Sequence, residues 1–306
     1  MKIIFFGTPP SCLHILESIL ERFEILAVVS KNTPENTKRR NFQKSVLNKF
    51  AINKKIDFYE PEKIDESFVN SIKNYNPDLF LVCAYGKILT KSFINIPKFG
   101  TLNIHPSLLP KYRGPSPIQN SILNLDEESG YSIIKMEEKI DAGDILFRSD
   151  PIILTHKEKY IDLLDLLFKE SSKKINNVIY NYFQNNINLE SQIDSEASFT
   201  KLIKKKDGLV IWKESIDIIE AKFRAFYNWP QIFSYHNDKR FKILNLEKTN
   251  LISNTPGSIS KINNQIHVDT GTYKIKLLSI KFDGKQEVDP LAYFGNFEFS
   301  KTILSP

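Results

Sequence analysis

The sequence predicts an α/β fold: a Rossmann-like, doubly wound and mostly parallel sheet, linked to a smaller OB-like β-barrel domain. Three observations carry this expectation. The chain opens β–turn–α–β. Residues 3–6 are wholly apolar, Gly7-Thr8-Pro9-Pro10 breaks the run, and an amphipathic stretch leads to a second strand over 25–30. Such alternation builds parallel sheets with right-handed crossovers. Beyond residue 206 the pattern changes to short strands separated by turn residues, as in a small barrel or sandwich. Finally, 306 residues suit two domains at roughly 100–200 residues each.

Each element follows from local pattern. The first helix takes Ser11 as its N-cap and sets Leu13, Leu16, Ile19 and Leu20 on one face. Asn76-Pro77-Asp78 is a turn signal, and a buried strand follows over 79–84. Further strands are expected over 101–104, 131–136 and 145–148. Over 160–183, apolar residues recur at helical spacing: Ile161, Leu164, Leu167, Phe168, Ile175, Val178, Ile179 and Tyr182. This helix closes a first domain of residues 1–187. Residues 188–205 lose the pattern to Ser, Asp, Glu and Lys and read as an interdomain linker. The second domain, 206–306, holds a helix over 216–226 and strands over 231–235, 241–247, 257–262, 266–269 and 273–280. Trp212, Phe226 and Trp229 are expected to pack its core.

Composition excludes several classes. At 41% hydrophobic and 25% charged, the chain is globular rather than disordered. No apolar run nears the ~18 residues of a membrane span. Residues 3–6 are too short for the core of a signal peptide. A cytoplasmic monomer is expected. The formal net charge of +6 suits a polyanion such as RNA without requiring one. Cys12 and Cys83 lie far apart with no C-x-x-C, and so read as buried small hydrophobes rather than a disulfide or zinc site. His14, His156, His236 and His267 lack ligand spacing, and no metal is expected.

Chemistry concentrates in residues 101–119, TLNIHPSLLPKYRGPSPIQ. Asn103 and His105 are two apart at a strand end, so their side chains share a face. Pro106 restricts His105 to an extended backbone. In open α/β sheets, ligands bind beyond the carboxyl ends of strands. A second element, Ile140-Asp141-Ala142-Gly143-Asp144, places two acids around a small-residue turn. Either acid could complete a trio with Asn103 and His105 if the fold brings them together. Such a trio suits acyl transfer to an amine. An amide N–H can hold the oxyanion of the tetrahedral intermediate. An imidazole can move protons near neutral pH. A carboxylate can orient the imidazole or take a proton from the amine. Neither a metal nor a nucleophilic thiol is required.

The run NIHPSLLPKYRGPSPIQ with the IDAGD turn resembles the folate-dependent formyltransferase family, and residues 3–10, IIFFGTPP, resemble its N-terminal signature. The resemblance implies catalytic roles for Asn103, His105 and Asp141, with Ser107, Leu108, Leu109 and Pro110 in the folate-binding loop. It implies 10-formyltetrahydrofolate as formyl donor. The C-terminal stretch is similar to the second domain of the tRNA-directed members, through Asp207-Gly208, Trp212, Arg224-Ala225-Phe226, Trp229-Pro230 and Pro256-Gly257. That similarity implies initiator methionyl-tRNA as acceptor, with Lys38, Arg39 and Arg40 as RNA contacts. Two departures stand out. Pro106 replaces the glycine usual in the tRNA-directed enzymes, and residues 31–40 are basic but lack glycine. Two rivals remain: a sugar-nucleotide or other small-amine N-formyltransferase, and a non-catalytic RNA- or folate-binding relative. Arg113 and Tyr112 either line the cleft or support its loop.

Overall fold

A computed structural model describes residues 1–31, 45–295, 297 and 303–305. Its chain divides into two compact units. The first comprises Met1–Pro117, Glu128–Ile152 and Leu164–Lys201; the second comprises Ile118–Glu127, Ile153–Leu163 and Leu202–Pro306. The chain thus enters the second unit twice before committing to it.

In chain order the N-terminal half runs β1 (Lys2–Gly7), α1 (Cys12–Leu20), β2 (Glu24–Val29), α2 (Val46–Lys54), β3 (Asp57–Tyr59), α3 (Glu66–Asn74), β4 (Leu79–Cys83), α4 (Lys91–Ile94), β5 (Thr101–His105) and α5 (Pro117–Leu123). It continues with β6 (Glu128–Ser129), β7 (Ser132–Lys135), β8 (Ile145–Arg148), β9 (Ile152–Ile153) and α6 (Tyr160–Phe183). Seven strands form one sheet in the order β3-β2-β1-β4-β5-β7-β8. From β3 to β5 every pairing is parallel. β7 and β8 add antiparallel, so the sheet is Rossmann-like with a reversed edge. The order reverses between β1 and β4, which makes their shared carboxyl edge the switch point where such sheets bind ligands.

The strands are apolar because both faces are covered. Ile3 to Phe6 and Leu79 to Cys83 are buried throughout. One face packs Phe6, Phe80, Phe93 and Phe68 together, with the Phe6 and Phe80 rings edge-on at 5.0 Å. Each such ring removes apolar surface worth ~1.5–3 kcal/mol. Cys12 and Cys83 are free and buried, and Cys12 Sγ donates to the Cys83 carbonyl at 3.2 Å. Burial pushes the Cys83 thiol above its ordinary range. Ser11 precedes α1 as expected but makes no side-chain cap bond.

The second unit contains α7 (Ile216–Ala225), capped by Ser215 Oγ accepting from Ile218 N. Next come β10 (Ile232–His236), β11 (Lys239–Ile252), β12 (Ile259–Ile262), β13 (Gln265–Asp269), β14 (Tyr273–Phe282), β15 (Glu287–Val288) and α8 (Pro290–Phe294). Its sheet is antiparallel in the order β10-β11-β14-β13-β12, with β15 on β14. Trp212 and Phe226 are buried as expected, and Trp212 Nε1 donates to Ser234 Oγ at 2.9 Å. Trp229 is a correction: it is 56% exposed. It sits in the turn between α7 and β10, where the chain reverses at the surface.

The stretch expected as a linker belongs to the first unit as far as Lys201 and is bonded to it. Ile145 and Glu190 exchange backbone bonds at 2.8 and 3.0 Å, and Thr200 N donates to Arg113 O at 2.8 Å. Among the described residues, no helix is long and apolar enough to cross a membrane.

Candidate active site

β5 ends at the carboxyl edge beside β4, and it carries Asn103 and His105 on one face. The Asp141 turn follows β7, the antiparallel partner of β5. That pairing closes a gap that sequence spacing left open. His105 Nδ1 lies 3.6 Å from Asp141 Oδ2, and Asn103 Nδ2 donates to Asp141 Oδ1 at 3.4 Å. The three polar side chains therefore meet. His105 and Asp141 are 5% and 14% exposed, so their interaction is poorly screened by solvent.

Four features fix the arrangement. His105 Nε2 lies 3.0 Å from the Tyr112 carbonyl. A carbonyl only accepts, so Nε2 carries the hydrogen, and in the neutral ring Nδ1 presents its lone pair toward Asp141. Gly114 N donates at 2.9 Å to Asp141 Oδ2, the same carboxylate oxygen that faces His105. Asp141 itself adopts φ 50°, a left-handed backbone that aspartate tolerates better than most residues. Gly143 lets this turn lie on the sheet: a Cβ there would stand 1.8 Å from the Lys135 carbonyl oxygen. Asp144, the competing acid, faces elsewhere and accepts from Ser191 Oγ at 2.8 Å.

Residues 107–110 form a tightly bonded loop. Ser107 Oγ donates to Lys111 O at 2.6 Å, and Leu109 is buried with Ile134 and Ile145. Leu109 N donates to Ser132 Oγ, whose hydroxyl donates in turn to Ser107 O. The Ser107 and Leu109 side chains are thus spent on the loop. Leu108 and Pro110 are half-buried, and the loop's carbonyls are bonded in turn, Leu108 O by Lys111 N, Leu109 O by Arg148 Nε and Pro110 O by Ser198 N. Arg113 takes the supporting role: it is 1% exposed and bonds Gln192 Oε1 and Asp194. Lys38, Arg39 and Arg40 lie outside the described residues. No group of three or more His, Cys, Asp or Glu side chains could hold a metal among the described residues.

Sequence reasoning missed Gly114 and Gln192. The signal for Gly114 was present, a glycine between Arg113 and Pro115 at a forced turn. No local signal marks Gln192, which sits among polar residues in an unpatterned stretch.

Comparison with known proteins shows the family. A sequence profile described as formyl transferase matches residues 1–177, and one described as formyl transferase, C-terminal domain, matches residues 202–297. The chain belongs to the formyl transferase family. It is accordingly an enzyme of the transferase class. It is 33% identical over 292 residues to the methionyl-tRNA formyltransferase of Pelagibacter ubique, covering 93% of this chain and 92% of the relative. The fold of this formyl transferase is also similar to solved structures. HypX from Aquifex aeolicus, solved with tetrahydrofolic acid, aligns with TM-score 0.68 at 15% identity, over 98% of this chain and 48% of that one. An N-formyltransferase from Helicobacter canadensis, solved with folinic acid and dTDP-3-aminofucose, aligns with TM-score 0.66 at 20% identity, over 90% and 98%.

Proposed function

We propose that this formyl transferase moves a formyl group from 10-formyltetrahydrofolate to a primary amine. One observation carries the reading: Asn103 and His105 both come within 3.6 Å of the Asp141 carboxylate at the carboxyl edge of the sheet. An amide donor, a ring nitrogen lone pair and a carboxylate around one point are the groups that amine acylation needs. The reduced folate supplies the activated formyl carbon and departs with a hydrogen on its nitrogen. Asn103 turns its N–H groups from Asp141 to the formyl oxygen as negative charge develops there. His105 Nδ1 takes a proton from the attacking amine and returns it to the leaving nitrogen. The proton count balances: one N–H is lost by the acceptor and one gained by the folate. Asp141 stabilises the imidazolium between those two transfers. Leu108 and Pro110 offer the donor's ring an apolar contact, with Ser107 and Leu109 keeping their loop in place.

Two acceptors have specific support. Methionyl-tRNA, with initiator tRNA first, is favoured by a relative of that name aligning over 93% of this chain, and by the match to the C-terminal domain. A nucleotide-linked amino sugar is favoured by the fold likeness to the Helicobacter canadensis enzyme, which covers 98% of that protein. The test is to supply 10-formyltetrahydrofolate with charged initiator and elongator methionyl-tRNA and, separately, with dTDP-3-aminofucose. Formylmethionine on initiator tRNA supports the first acceptor. A formylated sugar with unmodified tRNA replaces it with the second. No formylated product from either sinks the proposal.

A further inference from the structure

We propose that Gln192 is a positioning residue for formyl transfer, and that residues 190–200 are a strap holding the acid turn in its reactive geometry. This deepens the reading above and rests on Asp141 acting at the reacting atoms. One side-chain amide makes three directed bonds. Gln192 Nε2 donates to the Asp141 carbonyl at 3.0 Å and to the Gly143 carbonyl at 2.7 Å. Its Oε1 accepts from Arg113 Nε at 2.9 Å. Both amide hydrogens are thus committed to the turn, and the oxygen is committed to the opposing loop.

That opposing loop carries the other two restraints on the site. Tyr112, before Arg113, offers the carbonyl that orients His105. Gly114, after it, offers the N–H that holds the Asp141 carboxylate. Gln192 therefore joins the backbone of the acid to the backbone that fixes its partner. The rest of the strap anchors the join. Tyr112 N donates to Ser198 Oγ at 2.8 Å, Arg113 N to Ser198 O at 2.8 Å, and Ser116 N to Thr200 Oγ1 at 3.1 Å. Asp194 accepts from Arg113 Nη1 at 2.7 Å and from Lys139, two residues before Asp141.

The left-handed conformation of Asp141 makes such a clamp necessary. A turn in this region is disfavoured on its own and persists where its surroundings over-determine it. Its two outward carbonyls need donors, and a primary amide spans both. Glutamate has the same shape and would keep the bond to Arg113, but it would face those carbonyls with an oxygen.

Gln192→Glu is therefore the informative variant, assayed in the full chain with whichever acceptor the wild type formylates. The expected result is a kcat lower by up to ~10²-fold, with KM for donor and acceptor changed less than ~3-fold and the thermal midpoint retained. Introduced into Asp141→Ala, the same change should cost nothing further, because the residue being positioned is gone. Equal losses in both backgrounds would mean a merely structural strap and overturn the proposal. Wild-type kcat in Gln192→Glu alongside an impaired Asp141→Ala would overturn it and leave the functional reading standing. Full turnover by Asp141→Ala would remove the functional reading itself. Should Gln192→Glu not fold, Gln192→Ala is taken through the same cycle and judged by the same outcomes.

Discussion

At His105 the ring is held by one bond, and the proposed chemistry runs through the other nitrogen. The Tyr112 carbonyl occupies Nε2 at 3.0 Å, which leaves Nδ1 facing Asp141. His105→Ala should lower kcat by ~10²–10⁴-fold, the usual range for one acid–base group. Asn103→Ala should cost ~10²–10³-fold, as for loss of one oxyanion donor. Steady-state kinetics with circular dichroism would check both, since folding should survive each change. Wild-type turnover in either variant would remove that residue from the reaction. Gly143→Ala belongs at this scale too. A methyl 1.8 Å from the Lys135 carbonyl oxygen forces the turn off the sheet. Overpacking of this kind costs ~1–3 kcal/mol or more, so a lower melting temperature and a lower kcat should appear together. An unshifted melting curve would contradict the close packing. Asn103 and His105 were legible in the sequence because a strand's two-residue period puts them on one face. Choosing Asp141 over Asp144 was not legible from spacing, because it depends on a single φ of 50° and on the backbone N–H of Gly114.

Among the elements, α6 was read over its full span because its apolar residues keep helical spacing for 24 residues. α2 was passed over. It buries only Leu47 and Ala51, too few to mark a face. The β-rich second unit was legible from its turns, but β11 is longer than expected. It runs 14 residues with several register shifts against β14, irregularities that turn chemistry does not announce. This unit also carries a pH dependence. His236 is buried on β10 against Tyr293, Phe294 and Phe297, and its Nδ1 lies 3.1 Å from Tyr293 Oη. Burial, then Lys239, holds its pKa below the ordinary value. His267 on β13 is likewise lowered, chiefly by burial. In the unfolded chain both imidazoles take up protons near pH 6.5. In the folded unit they do so only at lower pH. The unfolded state therefore binds more protons below about pH 6.5, and stability falls as pH falls through that range. Thermal unfolding between pH 8 and 5.5 should show a midpoint that declines in the acid half. His236→Gln should flatten the decline, and an unchanged slope in that variant would assign the effect elsewhere.

For the molecule as a whole, the net charge of +6 and the RNA-directed reading make a common prediction. Neutralising Lys38, Arg39 and Arg40 together should weaken binding of methionyl-tRNA and flatten its dependence on salt, because fewer counterions are released. Filter binding across 50–200 mM salt reads this directly. An unchanged slope would place the RNA contacts elsewhere. The fold class was legible because alternating strands and helices leave few topologies. The course of residues 188–201 was not. Their partners lie up to 87 residues away, as Thr200 Oγ1 on the Arg113 carbonyl shows, and polar side chains carry no periodicity to betray them.

The strap also has a consequence for the order in which the protein is made. Synthesis proceeds from the N-terminus at ~5–20 residues per second, and domains tend to fold as they emerge. His105 and Asp141 leave the ribosome long before Gln192, which follows Asp141 by 51 residues. For those seconds the nascent chain has every group proposed to react and no fastener. Competence for chemistry arrives late, when the segment beyond α6 comes back to its place beside Arg113.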